Sequence, residues 1–129
     1  MKNVLLTFIK NPELGEVKTR LSATLGHQTA LEVYEKLLAL TRSVTRRISC
    51  HRQLWYSQFI DEDDDWDARK YEKKLQQGSN LGERMHYAFE QAFTAGYKRA
   101  VLIGSDCAEL TPSHIQKAFT ALENHDTVI

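Results

Sequence analysis

Residues 3–9, NVLLTFI, are apolar at nearly every position. That pattern suits a strand covered on both faces, as in a parallel sheet. The stretch VKTRLSATL (17–25) suits a short helix closed by Gly26. From 29 to 48 the apolar period becomes helical. Leu31, Tyr34, Leu38, Thr41 and Ile48 fall near one face, with Leu37 and Val44 beside them. Thr29 and Glu32 have the spacing of a capping box for its start. RQLWYSQF (52–59) predicts a second strand and LQQ (75–77) a short third. Between them, IDEDDDWDARKYEKK (60–74) is acidic, then basic. The expectation there is a solvated loop and a short helix, because carboxylates strung along an exposed run rarely converge on a metal. Residues 80–96 predict a helix with Asn80 as N-cap, Glu83 at the matching box position and Gly96 at the closing turn. RAVLIGSD (99–106) predicts a strand. Residues 111–125 predict a helix with Thr111 as N-cap and Pro112 at its first position. DTVI (126–129) reads as the start of another strand.

Strands alternating with helices define an α/β domain with a mainly parallel sheet. At 129 residues the chain is one domain's worth. A strand cut at its fourth residue is an unusual domain boundary, so the expectation is a single, incomplete domain over 1–129. Lysine plus arginine equals aspartate plus glutamate at 17 each. That balance argues against a general nucleic-acid binder, which carries a basic excess or stripe. No apolar run approaches the length of a membrane span, and no cleavage site follows the first apolar run, so a cytoplasmic location is expected. Cys50 and Cys107 suit reduced thiols rather than a disulfide framework.

The neutral balance makes the first turn of the chain conspicuous. FIKNPELGEVKTRL (8–21) places Lys10, Lys18 and Arg20 around Gly15, directly after a buried strand. Ligands of open α/β sheets bind beyond the carboxyl ends of strands. There a glycine turn entering a helix can approach an anion, and arginine offers a fork for phosphate. The spacing is not that of a Walker A loop, and the chain has no GxGxxG. The alternative is that these cations are a solvated helix face. A second strand end, GSDCAEL (104–110), puts Asp106 where a carboxylate can hold a divalent cation. Asp106 can equally be a turn residue bonded to nearby amides. Glu109 is either a supporting carboxylate or surface, and Cys107 is read as a buried thiol, with no histidine nearby in sequence to act as its base. Taken together, the two ends suit a nucleoside di- or triphosphate with Mg²⁺ or Mn²⁺.

FIKNPELGEVKTRL, QQGSNLGERM and IGSDCAEL occur in the order and at about the spacing of the selenodomain-associated transferase 1 family, which the chain resembles over almost its whole length. That family is glycosyltransferase-like and falls in the GT-A nucleotide-diphospho-sugar transferase superfamily. More distantly, the chain is similar to phospholactate and molybdenum-cofactor guanylyltransferases. The resemblance implies a three-layer αβα, Rossmann-like GT-A fold that binds a nucleotide or nucleotide-sugar. Lys10, Lys18 and Arg20 would line the phosphate site, Gly82 and Arg84 would lie near the nucleotide, and Asp106 would be the metal ligand. No catalytic residue is implied. The sequence departs from the family pattern at Asn80 and Ala108, usually Asp and Pro. It also lacks the glycine-rich segment, of the type GPAxDGGYxLIG, that follows DTVI in the family.

Two functions therefore stand as expectations. One is a metal-dependent glycosyl- or nucleotidyltransferase with its donor site at Asp106 and the Lys10–Arg20 loop. The other is a catalytically incomplete half-domain that binds nucleotide weakly or serves as a dimeric interaction module. A homodimer through an exposed sheet edge or an exchanged segment is the expected assembly.

Overall fold

The computed structural model describes residues 3–11, 26–48, 50–104 and 112–122. Its elements run β1 (Asn3–Ile9), α1 (His27–Thr45), β2 (His51–Tyr56), β3 (Glu72–Leu75), α2 (Leu81–Thr94), β4 (Arg99–Gly104) and α3 (Pro112–Leu122). The four strands form one all-parallel sheet in the order β3-β2-β1-β4. The chain steps outward from β1 through β2 to β3, then returns to the far side of β1 as β4. That reversal makes the β1/β4 boundary the topological switch point of the sheet.

The pleat sorts β1 into two faces. Leu5 and Ile9 point to the side of α1 and α3, where they meet Tyr34, Leu38, Val44, Ile48, Ile115 and Phe119. Val4, Leu6 and Phe8 point to the side of α2 and pack with Trp55, Ala88, Ala92 and Ala100. Helices on both faces explain why NVLLTFI alternates so little: both of its sides are core. The small residues Ala88 and Ala92 let α2 lie close to the sheet, and both are fully buried. Among the described residues no helix is long and apolar enough to cross a membrane.

Several boundaries differ from the sequence expectation. Helix α1 begins at His27, with Gly26 at its N-cap in a positive-φ conformation (φ 92°) and no side-chain cap bond. Gly26 therefore opens a helix, and the Thr29–Glu32 box does not form its start. Helix α1 ends at Thr45 rather than 48, although Ile48 is still buried beyond it. The second strand stops at Tyr56, and the third runs over 72–75 instead of 75–77. Residues 60–71 carry turns and no helix. Nor is this segment solvated throughout: Trp66 and Tyr71 are buried and pack edge-on with centroids 4.9 Å apart. By contrast, Asn80 caps α2 as expected, accepting from the Glu83 N–H at 2.9 Å, and Gly96 closes it with φ 104°. The Cys50 thiol is pushed up to about 11, chiefly by burial, which makes it a poor nucleophile at neutral pH. The expected helix over 17–25, the strand over 126–129 and the Thr111 cap lie outside the described residues.

Candidate functional site

In a parallel sheet every carboxyl end lies on one edge. Here that edge collects Lys10 and Asn11 after β1, Ser57–Phe59 after β2, Gln76–Asn80 after β3 and Gly104 at the end of β4. Phe8 is in register with Gly104 across the switch point. The segments that begin with Lys10 and with Gly104, the two flagged by their chemistry, thus leave the sheet from adjacent strand ends.

Of the expected site residues, Lys10, Gly82 and Arg84 are described; Gly15, Lys18, Arg20 and Asp106 lie outside the described residues. The Lys10 side chain is exposed, while its backbone N–H donates to the Tyr34 hydroxyl at 2.7 Å. Helix α1 thereby fixes where β1 ends and leaves the ammonium to face solvent.

Gly82 sits in the first turn of α2. An added Cβ there would meet only Asn80 Oδ1, at 3.4 Å, so packing does not demand glycine at this position. Gly78, which sequence reasoning did not single out, is different. Its φ is 140°, and a Cβ would lie 2.8 Å from Glu83 Cβ and 2.9 Å from the Arg84 nitrogen. The loop after β3 presses directly on the start of α2. Gly78→Ala is expected to destabilise the protein by about 1–3 kcal/mol, through backbone strain and overpacking. A urea titration of the variant checks this; an unchanged midpoint would show that the loop and helix can separate freely.

Arg84 is half-buried and turned to the protein. Its Nε donates to Gly78 O at 3.2 Å, and Nη1 donates to Ser57 O at 3.3 Å and Gln76 Oε1 at 3.2 Å. Two buried amides do comparable work. Gln76 Nε2 donates to Ile9 O at 3.1 Å and Trp55 O at 2.9 Å, spanning the last turns of two strands. Asn11, 2% exposed, donates from Nδ2 to Phe59 O at 2.9 Å. Its Oδ1 accepts from the Gln58 and Phe59 N–H groups at 2.9 and 3.2 Å. Sequence reasoning missed Asn11, whose only signal was a polar side chain just past an apolar strand, and Gln76, which follows the charged strand β3 and carried no signal.

Beside this edge, the charged segment forms an ion pair. Lys73 Nζ is 2.8 Å from Asp64 Oδ1 and donates to Asp61 O at 2.7 Å. The Tyr56 hydroxyl donates to Asp64 Oδ2 and to Asp61 O. Burial and then the Asp64 carboxylate push the Tyr56 phenol far above its ordinary range, so it stays a donor. All three side chains are satisfied by one another, which marks the cluster as a tie for the 57–71 loop. An open groove of about 470 Å³ lies elsewhere, along α2, lined by His86, Phe89, Glu90, Phe93 and Thr94. Its two ionisable side chains, His86 and Glu90, pair with each other at 3.2 Å.

The order β3-β2-β1-β4 is that of a doubly wound α/β sheet, and comparison with solved structures narrows it to the nucleotide-diphospho-sugar transferase fold. A crystal structure titled "putative nucleotide-diphospho-sugar transferase", from Desulfovibrio desulfuricans G20, superposes with a TM-score of 0.84 at 31% identity. The match covers 95% of this chain and 55% of that one, so this chain spans just over half of that protein's length. Residues 39–129 match DUF2064, a family described as uncharacterized protein conserved in bacteria, and the chain belongs to that family. No curated protein matches the chain.

Proposed function

We propose that the chain provides the donor half of a glycosyltransferase-like site that binds a nucleotide or nucleotide-sugar. The observation that carries this reading is the register of Phe8 with Gly104. It sets the exits of β1 and β4 side by side, so the segments that run on to Arg20 and to Asp106 leave the sheet from neighbouring strand ends. In this reading Lys10, Lys18 and Arg20, with the backbone of Gly15, hold phosphate oxygens. The open first turn of α2 at Gly82 leaves room for the nucleotide, and Arg84 forms the wall behind it. Asp106, only two residues beyond Gly104, offers the hard carboxylate oxygen that Mg²⁺ or Mn²⁺ prefers. A cation held there neutralises charge on the phosphates. Similarity to a nucleotide-diphospho-sugar transferase supports the class of ligand.

A second reading is favoured by the β4 edge. Val101, Leu102 and Ile103 are only half-buried, and among the described residues β4 pairs with β1 alone. This reading makes the chain a weak nucleotide binder whose β4 edge pairs with a second copy. Edge strand β3 differs: it is four residues long and carries Glu72, Lys73 and Lys74, which blunts pairing.

One experiment separates the readings. Thermal melts are recorded with UTP, GTP, CTP, ATP, UDP-sugars and GDP-sugars, each with and without Mg²⁺ or Mn²⁺, beside light scattering for mass and a donor-hydrolysis assay. A ligand at one hundred times its dissociation constant adds about 2.7 kcal/mol, a shift of several degrees. A metal-dependent shift with turnover supports the transferase reading. A dimer with a weak shift and no turnover supports the second. No shift with any nucleotide overturns nucleotide binding in both readings, and a dimer without a shift leaves the chain an interaction module alone.

A further inference from the structure

Ser57 is held from two sides. Its Oγ accepts from the Asn11 N–H at 3.1 Å and lies 3.4 Å from Asn11 Oδ1, while its carbonyl accepts from Arg84 Nη1 at 3.3 Å. One residue thus joins the exit of β1 to the first turn of α2. Asn11 then spends the rest of its side chain on Gln58 and Phe59. Arg84 spends Nε and Nη1 on Gly78, Ser57 and Gln76. Asn11 is almost completely buried, and neither residue is an ornament on a flexible surface.

We infer that Asn11, Ser57 and Arg84 form an interlock that fastens the loop after β2 between β1 and α2, making Asn11 and Arg84 positioning residues for the donor site. The inference rests on the donor-site reading for what is positioned, but not for the interlock itself. Phosphates bound by long, exposed cations are held only as firmly as the backbone that carries those cations. The Asn11 bonds fix the chain at the start of the Lys10–Arg20 segment. The Arg84 bonds fix the start of α2 relative to it. Arg84 has Nε and Nη1 committed to protein acceptors, so in this inference its contribution to ligand binding is geometric rather than a direct ion pair.

The test has a ligand-free arm and a ligand arm. Hydrogen exchange is followed at the Gln58 and Phe59 amides in the wild type, Asn11→Ala, Asn11→Asp, Arg84→Ala and Arg84→Lys. Asn11→Ala should speed exchange at both amides at least tenfold, and Asn11→Asp, which keeps the acceptor oxygen but loses the donor to Phe59 O, should restore only part of the protection. Arg84→Ala should also speed exchange at these amides, although Arg84 bonds to neither. No change there in Arg84→Ala would overturn the interlock. Should Asn11→Ala fail to fold, Ser57→Ala removes only the hydroxyl that accepts from the Asn11 N–H and should speed exchange at the Asn11 amide; unchanged exchange there would overturn the interlock. In the ligand arm, affinity for Mg–UDP and Mg–GDP is measured against salt. Both alanine variants should bind at least fivefold more weakly with an unchanged salt slope. A shallower slope in Arg84→Ala, reversed by Arg84→Lys, would make Arg84 a direct phosphate ligand and overturn its positioning role. If the wild type binds neither of these nor any other nucleotide of the thermal panel, the donor-site reading fails, while the exchange data still decide the interlock.

Discussion

Asp64→Ala is expected to cost the fold about 3 kcal/mol, seen as a lower urea midpoint at unchanged slope. Lys73 has a side chain only 4% exposed, and its ammonium sits 2.8 Å from the Asp64 carboxylate. Removing the carboxylate leaves a buried cation with the Asp61 carbonyl as its remaining acceptor, and an uncompensated buried charge is among the costliest single changes a small domain can suffer. The cost stays near the low end of that class because the Asp64 side chain is 20% exposed, so water can reach part of the pair. The Tyr56 hydroxyl loses its carboxylate at the same time and keeps only the Asp61 carbonyl. The double variant Asp64→Leu with Lys73→Met removes both charges and should recover most of the loss, because the pair's own desolvation cost disappears with it. If Asp64→Ala changes stability by under about 0.5 kcal/mol, the pair behaves as a surface ion pair and the loop it ties is not part of the cooperative fold.

That cluster also shows where sequence reasoning stops. The run DEDDD looks like a solvated face, because its composition does not reveal that the Asp64 carboxylate and the Asp61 backbone carbonyl meet a lysine on a later strand. Trp66 and Tyr71 are the signal that was available: two large rings inside a charged stretch need somewhere to go. Strand β3, EKKL, has the charges of an edge strand and little apolar content, so its limits cannot be read from hydrophobicity. The start of α1 is hidden because Thr29 and Glu32 imitate a capping box, while Gly26 can either end one helix or begin the next. Elements whose pattern and punctuation agree were legible. Strand β1 is apolar because two layers cover it, and α2 has both Asn80 and Gly96 at its ends. The strand ends that carry Lys10 and Gly104 were legible for the same reason. Asn11, Ser57 and Gln76 were not: an amide or hydroxyl declares its partner only once chain segments tens of residues apart are brought together.

Lys18→Ala with Arg20→Ala should weaken nucleotide binding by roughly 10- to 100-fold for each charge-assisted hydrogen bond to phosphate that is removed, at about 1.5–3 kcal/mol per bond. The melting temperature without ligand should stay close to that of the wild type, because a phosphate cradle works by leaving its cations unspent on the fold. Lys10 is the member whose surroundings are described, and it behaves this way. Its backbone is bonded to Tyr34, its side chain is exposed, and its ammonium has no partner among the described residues. Lys10→Ala should therefore also spare the fold and lower affinity, and the removal of each cation should make binding less sensitive to salt. Arg84→Ala supplies the contrast, since it should weaken binding through loop geometry and leave the salt dependence alone. Equal binding by the wild type and the Lys18–Arg20 double variant would return these residues to a solvated helix face. The similarity to a nucleotide-diphospho-sugar transferase would then be one of fold without this phosphate site, because a shared sheet does not carry a shared ligand unless the side chains at its carboxyl edge reach that ligand.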